Sequence, residues 1–441
     1  MTAKILYWNV ERFNNNKIAN AAPIADDDYM EEDDGGQGAD RLELMLDTFR
    51  SGRNPNNTRF IPDFIVIVEV GKGQQLNGQG NIINGNPATG VITLLNAIRS
   101  DNTLHSNGRD WRLVPPLVLG YGGRGEGIAV FYNSTNWYFL GPQNRNANYL
   151  APFDNALRTR QVPGNYGIVA YQGIHENQRQ GQYSHRGRIN ENGNLIGTLR
   201  FPDADNRPPW LTCFGSVGPN PVLLRLMSFH SSPGTVNDRS PAINGTKAVT
   251  RIIDMMGNYT AARQIDVVLG DFNINNLDSN VWGQGGAFYG FVSGANPIYS
   301  PLLRANAGLD ADYNSFYFTE AKQLNQASIE AFDQPDGNYP GYGYLHLSID
   351  NAFFRTNMAA VNSRGTVVNR AVPTPYTLPI PPPVPAPDTG GLTYQDAFEE
   401  SIANMLANPP QDESVNDWFR EWANFGKMRS TSDHLPLIFE V

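Results

Sequence analysis

Seven short apolar runs divide the chain, and polar residues or glycines bound each of them. Runs of this length that are rich in valine, isoleucine and phenylalanine are typical of strands buried in a core. The sequence therefore predicts strands at residues 5–8, 64–68, 128–132, 223–229, 267–269, 349–354 and 435–441.

Two stretches between these runs, residues 41–49 and 247–259, carry apolar residues at helical spacing. Each stretch directly precedes a predicted strand, at 64–68 and at 267–269. Strands that alternate with single helices indicate layers of mixed α/β structure. The pattern therefore predicts an α/β protein rather than a helical bundle.

Long polar segments separate the predicted elements, and we interpret them as inserts. A chain of 441 residues suits one elaborated domain or two domains, and we favour a single domain over 1–441. Long loops around a rigid core often carry substrate specificity. The inserts are acidic, Gly/Asn-rich, polar and Pro-rich, in that order, and lie at about 14–40, 71–90, 141–206 and 364–425.

The composition narrows the function only slightly. The formal net charge of -10 counts against tight, non-specific binding of DNA, although a local field can still hold a phosphate. Cys213 is the one cysteine, so an intramolecular disulfide and a cysteine-based zinc site are both excluded. Because Cys213 sits in an apolar run, we expect it to be a small buried side chain.

The first residues lead into a predicted strand, and no apolar run reaches the length of a membrane-spanning helix. We therefore expect a soluble protein with no signal peptide or transmembrane segment and no stable membrane insertion. It would be cytoplasmic or exported by a leaderless route. The oligomeric state is left open.

Polar residues capable of chemistry lie at or next to the predicted strands. Taken singly, each suits a turn, a helix cap or a satisfied core position equally well. As a set they supply oxygen ligands for a hard cation and two histidines with acidic partners, which is what metal-assisted phosphodiester hydrolysis needs. The set comprises Asn9, Glu69, Glu126, His230, Asp271, Asn273, Asp350, Asp433 and His434.

Four short motifs give this set a family likeness. They are Asn-Arg-Pro-Pro at 206–209, Phe-His-Ser-Ser-Pro at 229–233, Gly-Asp-Phe-Asn at 270–273 and Ser-Asp-His-Leu-Pro at 432–436. In this order they resemble the DNase I-like endonuclease/exonuclease/phosphatase superfamily, and most closely its DNase I-type nucleases. The resemblance implies a four-layer α-β-β-α sandwich of two mixed β-sheets flanked by helices, with long loop inserts.

The resemblance also implies roles for the acidic and amide residues. Glu69 would be the main metal ligand, Asn9 would lie beside it, and Asp433 would bind metal or water. Asp271 and Asn273 would position the attacking water and contact the phosphate. Mg²⁺ is the expected cofactor, because it keeps several waters and needs only one or two carboxylates beyond the substrate oxygens. Mn²⁺ and Ca²⁺ are the alternatives.

The two histidines would act as the acid and the base. His230 would be oriented by Glu126, and His434 by Asp350, since a carboxylate fixes the imidazole tautomer and raises its basicity. Arg207 is a candidate phosphate clamp.

The sequence departs from the family pattern after Glu69. Gly71 and Lys72 stand where DNA-cutting members often carry an arginine, and Arg124 occupies a Gly-rich segment where minor-groove contacts are expected. Contact with DNA through these positions is therefore in doubt.

The residue set and the four motifs nevertheless favour an endonuclease that hydrolyses DNA phosphodiester bonds. A lipid phosphodiesterase, similar to a sphingomyelinase, would use the same chemistry and would suit the acidic charge. A catalytically silent binding or scaffold protein is the alternative of another class, although every catalytic residue type is retained. The substrate is therefore DNA or another phosphodiester.

Overall fold

The computed structural model describes about half of the chain. The described residues are 2–19, 37–50, 61–73, 83, 85–114, 116, 118–119, 125–141, 183–184, 187–189, 195–196, 207–233, 240–276, 278–293, 298–303, 349–358, 364–367, 431–432, 434 and 436–441. Most of the predicted inserts, together with Asp433 and Arg124, lie outside these residues.

Fifteen strands are found in the described part of the chain, and all seven predicted strands are among them. In chain order they are β1 Lys4–Phe13, β2 Phe64–Gly71, β3 Trp111–Val114, β4 Glu126–Asn133, β5 Trp137–Gly141, β6 Tyr183–Ser184, β7 Gly187–Ile189, β8 Leu195–Ile196, β9 Trp210–Ser216, β10 Leu223–His230, β11 Gln264–Asp271, β12 Ser300–Pro301, β13 Asp350–Thr356, β14 Arg364–Val367 and β15 Leu437–Glu440.

Six α-helices are found in the same described part of the chain. They are α1 Asn15–Ile18, α2 Gln37–Arg50, α3 Gly85–Ser100, α4 Ser240–Val249, α5 Ile253–Met256 and α6 Tyr289–Val292, with two 3-10 turns at Ser106–Gly108 and Ser279–Val281. Within the described residues, no helix has the length and apolar character needed to cross a bilayer.

Two six-stranded sheets form the centre of the molecule. The first has the order β14-β15-β1-β2-β4-β3, and the second has the order β12-β13-β11-β10-β9-β5. Each sheet is mixed, because β1 runs parallel to β2 and β10 runs parallel to β11 while the other pairings are antiparallel. Strands β6, β7 and β8 form a separate three-stranded sheet.

The two large sheets pack face to face. Phe64 of the first sheet lies 4.8 Å from Phe214 and 5.3 Å from Trp137 of the second, measured between ring centroids. We call these facing surfaces the inner faces. Aromatic rings at such distances form a dry core layer between sheets.

Helices cover the outer faces. On the first sheet, the outer residues Leu6 and Ile65 join one apolar cluster with Met45 of α2 and Leu94 of α3. On the second sheet, outer residues of β10 and β11 form another cluster with α4 and α6, including Met227, Val268, Ala242 and Phe291. The molecule therefore has the predicted four-layer α-β-β-α architecture.

Several local predictions differ from the structure. The helix predicted at 247–259 is instead α4, which begins at Ser240, followed by the short α5. The predicted insert at 71–90 contains the start of α3, whose buried Val91, Leu94 and Ile98 form an apolar stripe at helical spacing. The polar start of α3 hid it from the hydrophobic pattern.

The other three predicted inserts also contain regular structure. Helices α1 and α2 both include residues of the 14–40 segment, β6 to β8 lie in the 141–206 segment, and β14 lies in the 364–425 segment. Strand β9 covers the apolar run around Cys213, which is 0% exposed, as expected for a small buried side chain.

Candidate active site

Polar side chains from both sheets meet at one end of the inner faces. Side chains alternate along a strand, so residues two apart share a face. Asn9 therefore follows Ile5 and Tyr7 on the inner face of β1, and Asp271 follows Val267 and Leu269 on that of β11. Asn9 Nδ2 lies 3.2 Å from Asp271 Oδ2, which joins the two sheets through their polar ends.

Glu69 reaches the same place by a backbone irregularity. Alternation along β2 places Glu69 on the outer face, with Ile65 and Ile67. Its φ of 59° and the shift in register between Ile67 and Val70 turn the side chain inward. Glu69 Oε1 then accepts a hydrogen bond from Asn9 Nδ2 at 3.2 Å. A non-glycine residue in this left-handed conformation destabilises the folded state by roughly 1–3 kcal/mol, and such strained residues cluster at functional sites.

Asn273 is the second strained residue of the site. Its φ is 52°, and its backbone N–H donates to Asp271 Oδ1 at 2.7 Å. Its side-chain amide donates to the Ser231 carbonyl at 3.2 Å. The turn therefore fixes the Asp271 carboxylate through the backbone and ties β11 to the residue after His230.

A close approach of β10 to β11 also shapes this turn. Gly270 lies opposite Phe229 in the parallel pair, and a Cβ atom at position 270 would overlap the Phe229 carbonyl oxygen. Glycine is therefore required at this position if His230 and Asp271 are to end their strands side by side.

His230 forms the first imidazole–carboxylate pair. Its Nδ1 lies 2.6 Å from Glu126 Oε1, while Arg207 Nε lies 3.2 Å from Glu126 Oε2. Arg207 Nη1 also lies 2.9 Å from His230 Nε2. Burial raises the pKa of Glu126 to about 7, against the opposing effect of Arg207. Burial, and then Arg207, lowers the pKa of His230 well below its usual value.

His434 forms the second pair. Its Nδ1 lies 2.8 Å from Asp350 Oδ2, and the other carboxylate oxygen of Asp350 accepts a hydrogen bond from the Tyr7 hydroxyl at 2.9 Å. With Asp350 accepting the Nδ1–H proton, the Nε2 lone pair of His434 is directed away from Asp350. Asp350 is 0% exposed and lies on the inner face of β13.

The backbone around His434 is anchored to β1. The Ser432 hydroxyl donates to the Asn9 carbonyl at 2.5 Å and accepts from the His434 N–H at 2.9 Å. The indole N–H of Trp8 donates to the His434 carbonyl at 2.7 Å. These contacts hold His434 in place against the same strand that carries Asn9.

Asp271 lies between the two imidazoles. Its Oδ2 is 3.5 Å from His230 Nε2 and 3.6 Å from His434 Nε2. Burial raises the pKa of Asp271 well above its usual value, and His434 opposes this shift while Asp350 adds to it. The site therefore concentrates carboxylates in a buried place, where their charges repel one another.

The donor atoms fit a hard divalent cation. One carboxylate or imidazole atom each from Glu69, His230 and Asp271 lies within 4.8 Å of the others. Asn9 Oδ1 is buried without a hydrogen-bond partner among the described residues. An orphaned amide oxygen next to two carboxylates is chemically suited to a Mg²⁺ ion, which prefers oxygen ligands.

The structure brings together every predicted site residue that it describes. These are Asn9, Glu69, Glu126, Arg207, His230, Asp271, Asn273, Asp350 and His434. Asp433 and Arg124 lie outside the described residues, so their predicted roles stay predictions.

Sequence reasoning missed two contributors. Tyr7 shares the inner face with Asn9, so alternation along β1 contained the signal for it. Ser231 was noted only as part of a motif, yet its hydroxyl donates to the Phe272 carbonyl at 2.5 Å and supports the turn at Asp271.

No protein-family model matches the chain, and no curated protein sequence does. Solved structures do match over essentially the whole chain. TDP2 of D. rerio, humanized by 14 mutations, is 10% identical with a TM-score of 0.36, and the match covers 100% of this chain and 98% of that one. The human Nocturnin catalytic domain is 9% identical with a TM-score of 0.38, covering 100% and 92%.

An endonuclease/exonuclease/phosphatase from Beutenbergia cavernae is 12% identical with a TM-score of 0.35, covering 100% of this chain and 71% of that one. Scores of this size carry no argument about activity, which depends on the side chains described above. In its motifs and its four-layer fold, the chain resembles the DNase I-like endonuclease/exonuclease/phosphatase superfamily.

Proposed function

We propose that this protein is a divalent-metal-dependent phosphodiesterase, and specifically an endonuclease that hydrolyses DNA with Mg²⁺. One observation carries the proposal: two imidazole–carboxylate pairs direct their Nε2 atoms toward the same oxygen of Asp271, with Glu69 and Asn9 beside it. An acid and a base on either side of a set of oxygen ligands is what phosphodiester hydrolysis requires.

Glu69 and the Asn9 amide oxygen are the proposed metal ligands, and the sequence nominates Asp433 as a further one. When bound, the cation would neutralise charge on the phosphoryl oxygens. Asp271, fixed by the Asn273 N–H, would position the attacking water. Arg207 lies beside His230 and Glu126, where its guanidinium would meet a substrate phosphate.

The two imidazoles transfer the protons of the reaction. One accepts the proton of the attacking water at Nε2, and the other donates from Nε2 to the leaving oxygen. Their Nδ1 atoms are held by Glu126 and Asp350 at 2.6 and 2.8 Å, so both Nε2 atoms keep a fixed direction. A fixed direction matters because proton transfer needs hydrogen-bond reach to the reacting oxygen.

A plasmid-nicking assay tests the function. Supercoiled plasmid should be nicked with Mg²⁺ and left intact with EDTA. Variants Glu69→Gln, His230→Ala and His434→Ala should each slow nicking by about 100-fold or more, whereas Glu43→Gln, which alters an exposed carboxylate on α2, should leave the rate unchanged. Intact plasmid together with phosphocholine release from sphingomyelin would reassign the substrate to lipid. Absence of hydrolysis of either substrate would favour a silent scaffold.

A second measurement assigns the two histidines. A p-nitrophenyl phosphodiester has a leaving group that needs no protonation, so the loss of the acid should cost far less with it than with DNA. The histidine whose alanine variant regains activity on this ester is the acid. Equal losses on both substrates for both variants would contradict an acid–base pair.

A further inference from the structure

Tyr7 is a buried phenol that connects the two sheets at the site. It lies on β1 between its neighbours Val66 of β2 and Leu437 of β15, and it is 0% exposed. Its hydroxyl crosses to the second sheet and donates to Asp350 Oδ1 at 2.9 Å. Because β1 is paired on both sides, the position of this hydroxyl is fixed by the rigid part of the fold.

The Asp350 carboxylate is held from two directions. Oδ1 accepts from Tyr7 and Oδ2 accepts from His434, while the Asp350 backbone carbonyl accepts from the Asn276 amide at 2.8 Å. A carboxylate whose two oxygens have different donors cannot rotate without breaking one of the two hydrogen bonds. The Tyr7 phenol thus restricts the orientation of the Asp350 carboxylate, and this carboxylate restricts the orientation of the His434 imidazole.

The carboxylates of the two imidazole–carboxylate pairs have partners of different charge. Glu126 is paired with the cationic Arg207, which offsets its charge, whereas Asp350 is paired with a neutral phenol. An ordinary phenol is neutral at physiological pH, so the Tyr7 hydroxyl is a hydrogen-bond donor. A neutral donor fixes the geometry of Asp350 and leaves its negative charge available to His434.

We propose that Tyr7 is a positioning residue that fixes Asp350 and, through it, the direction of His434 Nε2. The inference rests on the phosphodiesterase activity proposed above, and it adds a third member to the His434–Asp350 pair. For comparison, removing a group that orients a metal-binding side chain typically costs about 10- to 100-fold in affinity or activity.

The first test is Tyr7→Phe, which removes only the hydroxyl. We expect kcat for plasmid nicking to fall about 10-fold, with KM changed less than about twofold, because substrate contacts are retained. The matched control is Tyr299→Phe, which removes another fully buried hydroxyl, one that donates to the Met255 carbonyl at 2.8 Å. That variant should lose stability and keep kcat.

A double variant separates positioning from general damage. In a His434→Ala background, Tyr7→Phe should have almost no further effect on kcat, because Tyr7 acts through His434. Equal, independent losses of kcat in both backgrounds would overturn the proposal. An unchanged kcat in Tyr7→Phe, in an active wild-type protein, would overturn it as well.

The last measurement does not need activity. The Nδ1 proton of His434 gives an NMR resonance that is assigned by its loss in His434→Ala. We expect this resonance to shift and broaden in Tyr7→Phe and to stay in place in Tyr299→Phe. An unshifted resonance would refute positioning. A shifted resonance in Tyr7→Phe, together with a wild-type protein that hydrolyses no phosphodiester, would instead refute the proposed function alone.

Discussion

Strand β11 carries two buried carboxylates, Asp266 and Asp271, whose surroundings have opposite charge. Asp266 is 0% exposed and binds two cations: Arg225 donates to both of its oxygens at 2.6 Å, and Arg355 donates at 2.9 Å. Asp271, five residues later, has carboxylates and imidazoles as neighbours. The first is compensated within the protein, and the second is not.

This difference separates a structural ion-pair cluster around Asp266 from Asp271, a carboxylate that we propose to be functional. Asp266 also accepts from the Gln264 amide at 2.7 Å, and Arg355 donates to the Gly257 carbonyl at 2.7 Å, so the cluster satisfies its polar groups internally. At Asp271 the pKa is raised by burial and by Asp350. An uncompensated buried carboxylate is expected where a cation or substrate supplies the missing partner.

The largest expected effect is on activity, in Asp271→Asn. We expect the rate of plasmid nicking to fall about 1,000-fold, as is usual when a group that contacts the reacting atoms is removed. The free energy of unfolding of the metal-free protein should rise by about 1 kcal/mol, because charge crowding is relieved. Nicking kinetics measure the rate, and urea denaturation measures the free energy of unfolding. If Asp271→Asn were less stable than the wild type and fully active, Asp271 would be a structural carboxylate like Asp266.

The converse variant is Asp266→Asn. It leaves two buried guanidinium groups facing an uncharged amide, so the free energy of unfolding should fall by about 3–5 kcal/mol. The activity per folded molecule should be unchanged, since the cluster lies at the other end of β11. Urea denaturation and active-site titration test this. A fall in the free energy of unfolding of less than about 1 kcal/mol would show that the Arg225–Asp266–Arg355 cluster contributes little to stability.

Stability should depend on pH through Glu126. Its folded pKa of about 7 lies above the ordinary 4.5, so protonation favours the folded state. The stabilisation is complete below pH 4.5 and is lost as the pH rises through about 7. The lost contribution is about 3 kcal/mol at most. Urea denaturation in EDTA at pH 5 and pH 8 measures it.

The control for this pH dependence is Glu126→Gln, which cannot titrate at that position. Its unfolding free energy should fall less between the two pH values than that of the wild type. Asp271, whose pKa is also raised, still contributes in the same direction. Identical pH profiles for the two proteins would show that Glu126 is ionised in the folded state at pH 5.

The smallest effect is that of metal on stability. At a Mg²⁺ concentration about 30 times Kd, binding to the folded state should add about 2 kcal/mol to the free energy of unfolding. Thermal denaturation should show a higher Tm for the wild type and for Glu43→Gln, but not for Glu69→Gln. An equal rise in all three proteins would place the bound ion away from Glu69.

The sequence predicted much of the site because alternation along a strand is local. Asn9, Asp271 and Asp350 follow the inner-face pattern of their own strands, so their convergence needs only the right pairing of sheets. Glu69 breaks that pattern, because its left-handed backbone turns it to the other face. The sequence offered Glu69 because it ends an apolar run and because the family resemblance implies a metal ligand there, whereas alternation along β2 assigned it to the outer face.

The long-range pairings of the charged cluster on the second sheet could not be predicted from the sequence. Arg225, Asp266 and Arg355 meet only because β10, β11 and β13 are adjacent in one particular register. Alone, each is an ordinary charged residue near a strand. Helix α3 and the early start of α4 were missed for another reason: their first turns are polar, and tertiary packing decides where each helix begins.

The hydrogen bond from Trp8 to the His434 carbonyl has a consequence for folding. It joins residues 426 positions apart along the chain, and β15 completes the first sheet by pairing with β1. Contacts between residues so distant in sequence form slowly, because the chain between them must first be closed into a loop. We therefore expect the contacts of His434 with Asn9 and Asp350 to be among the last in the site to form.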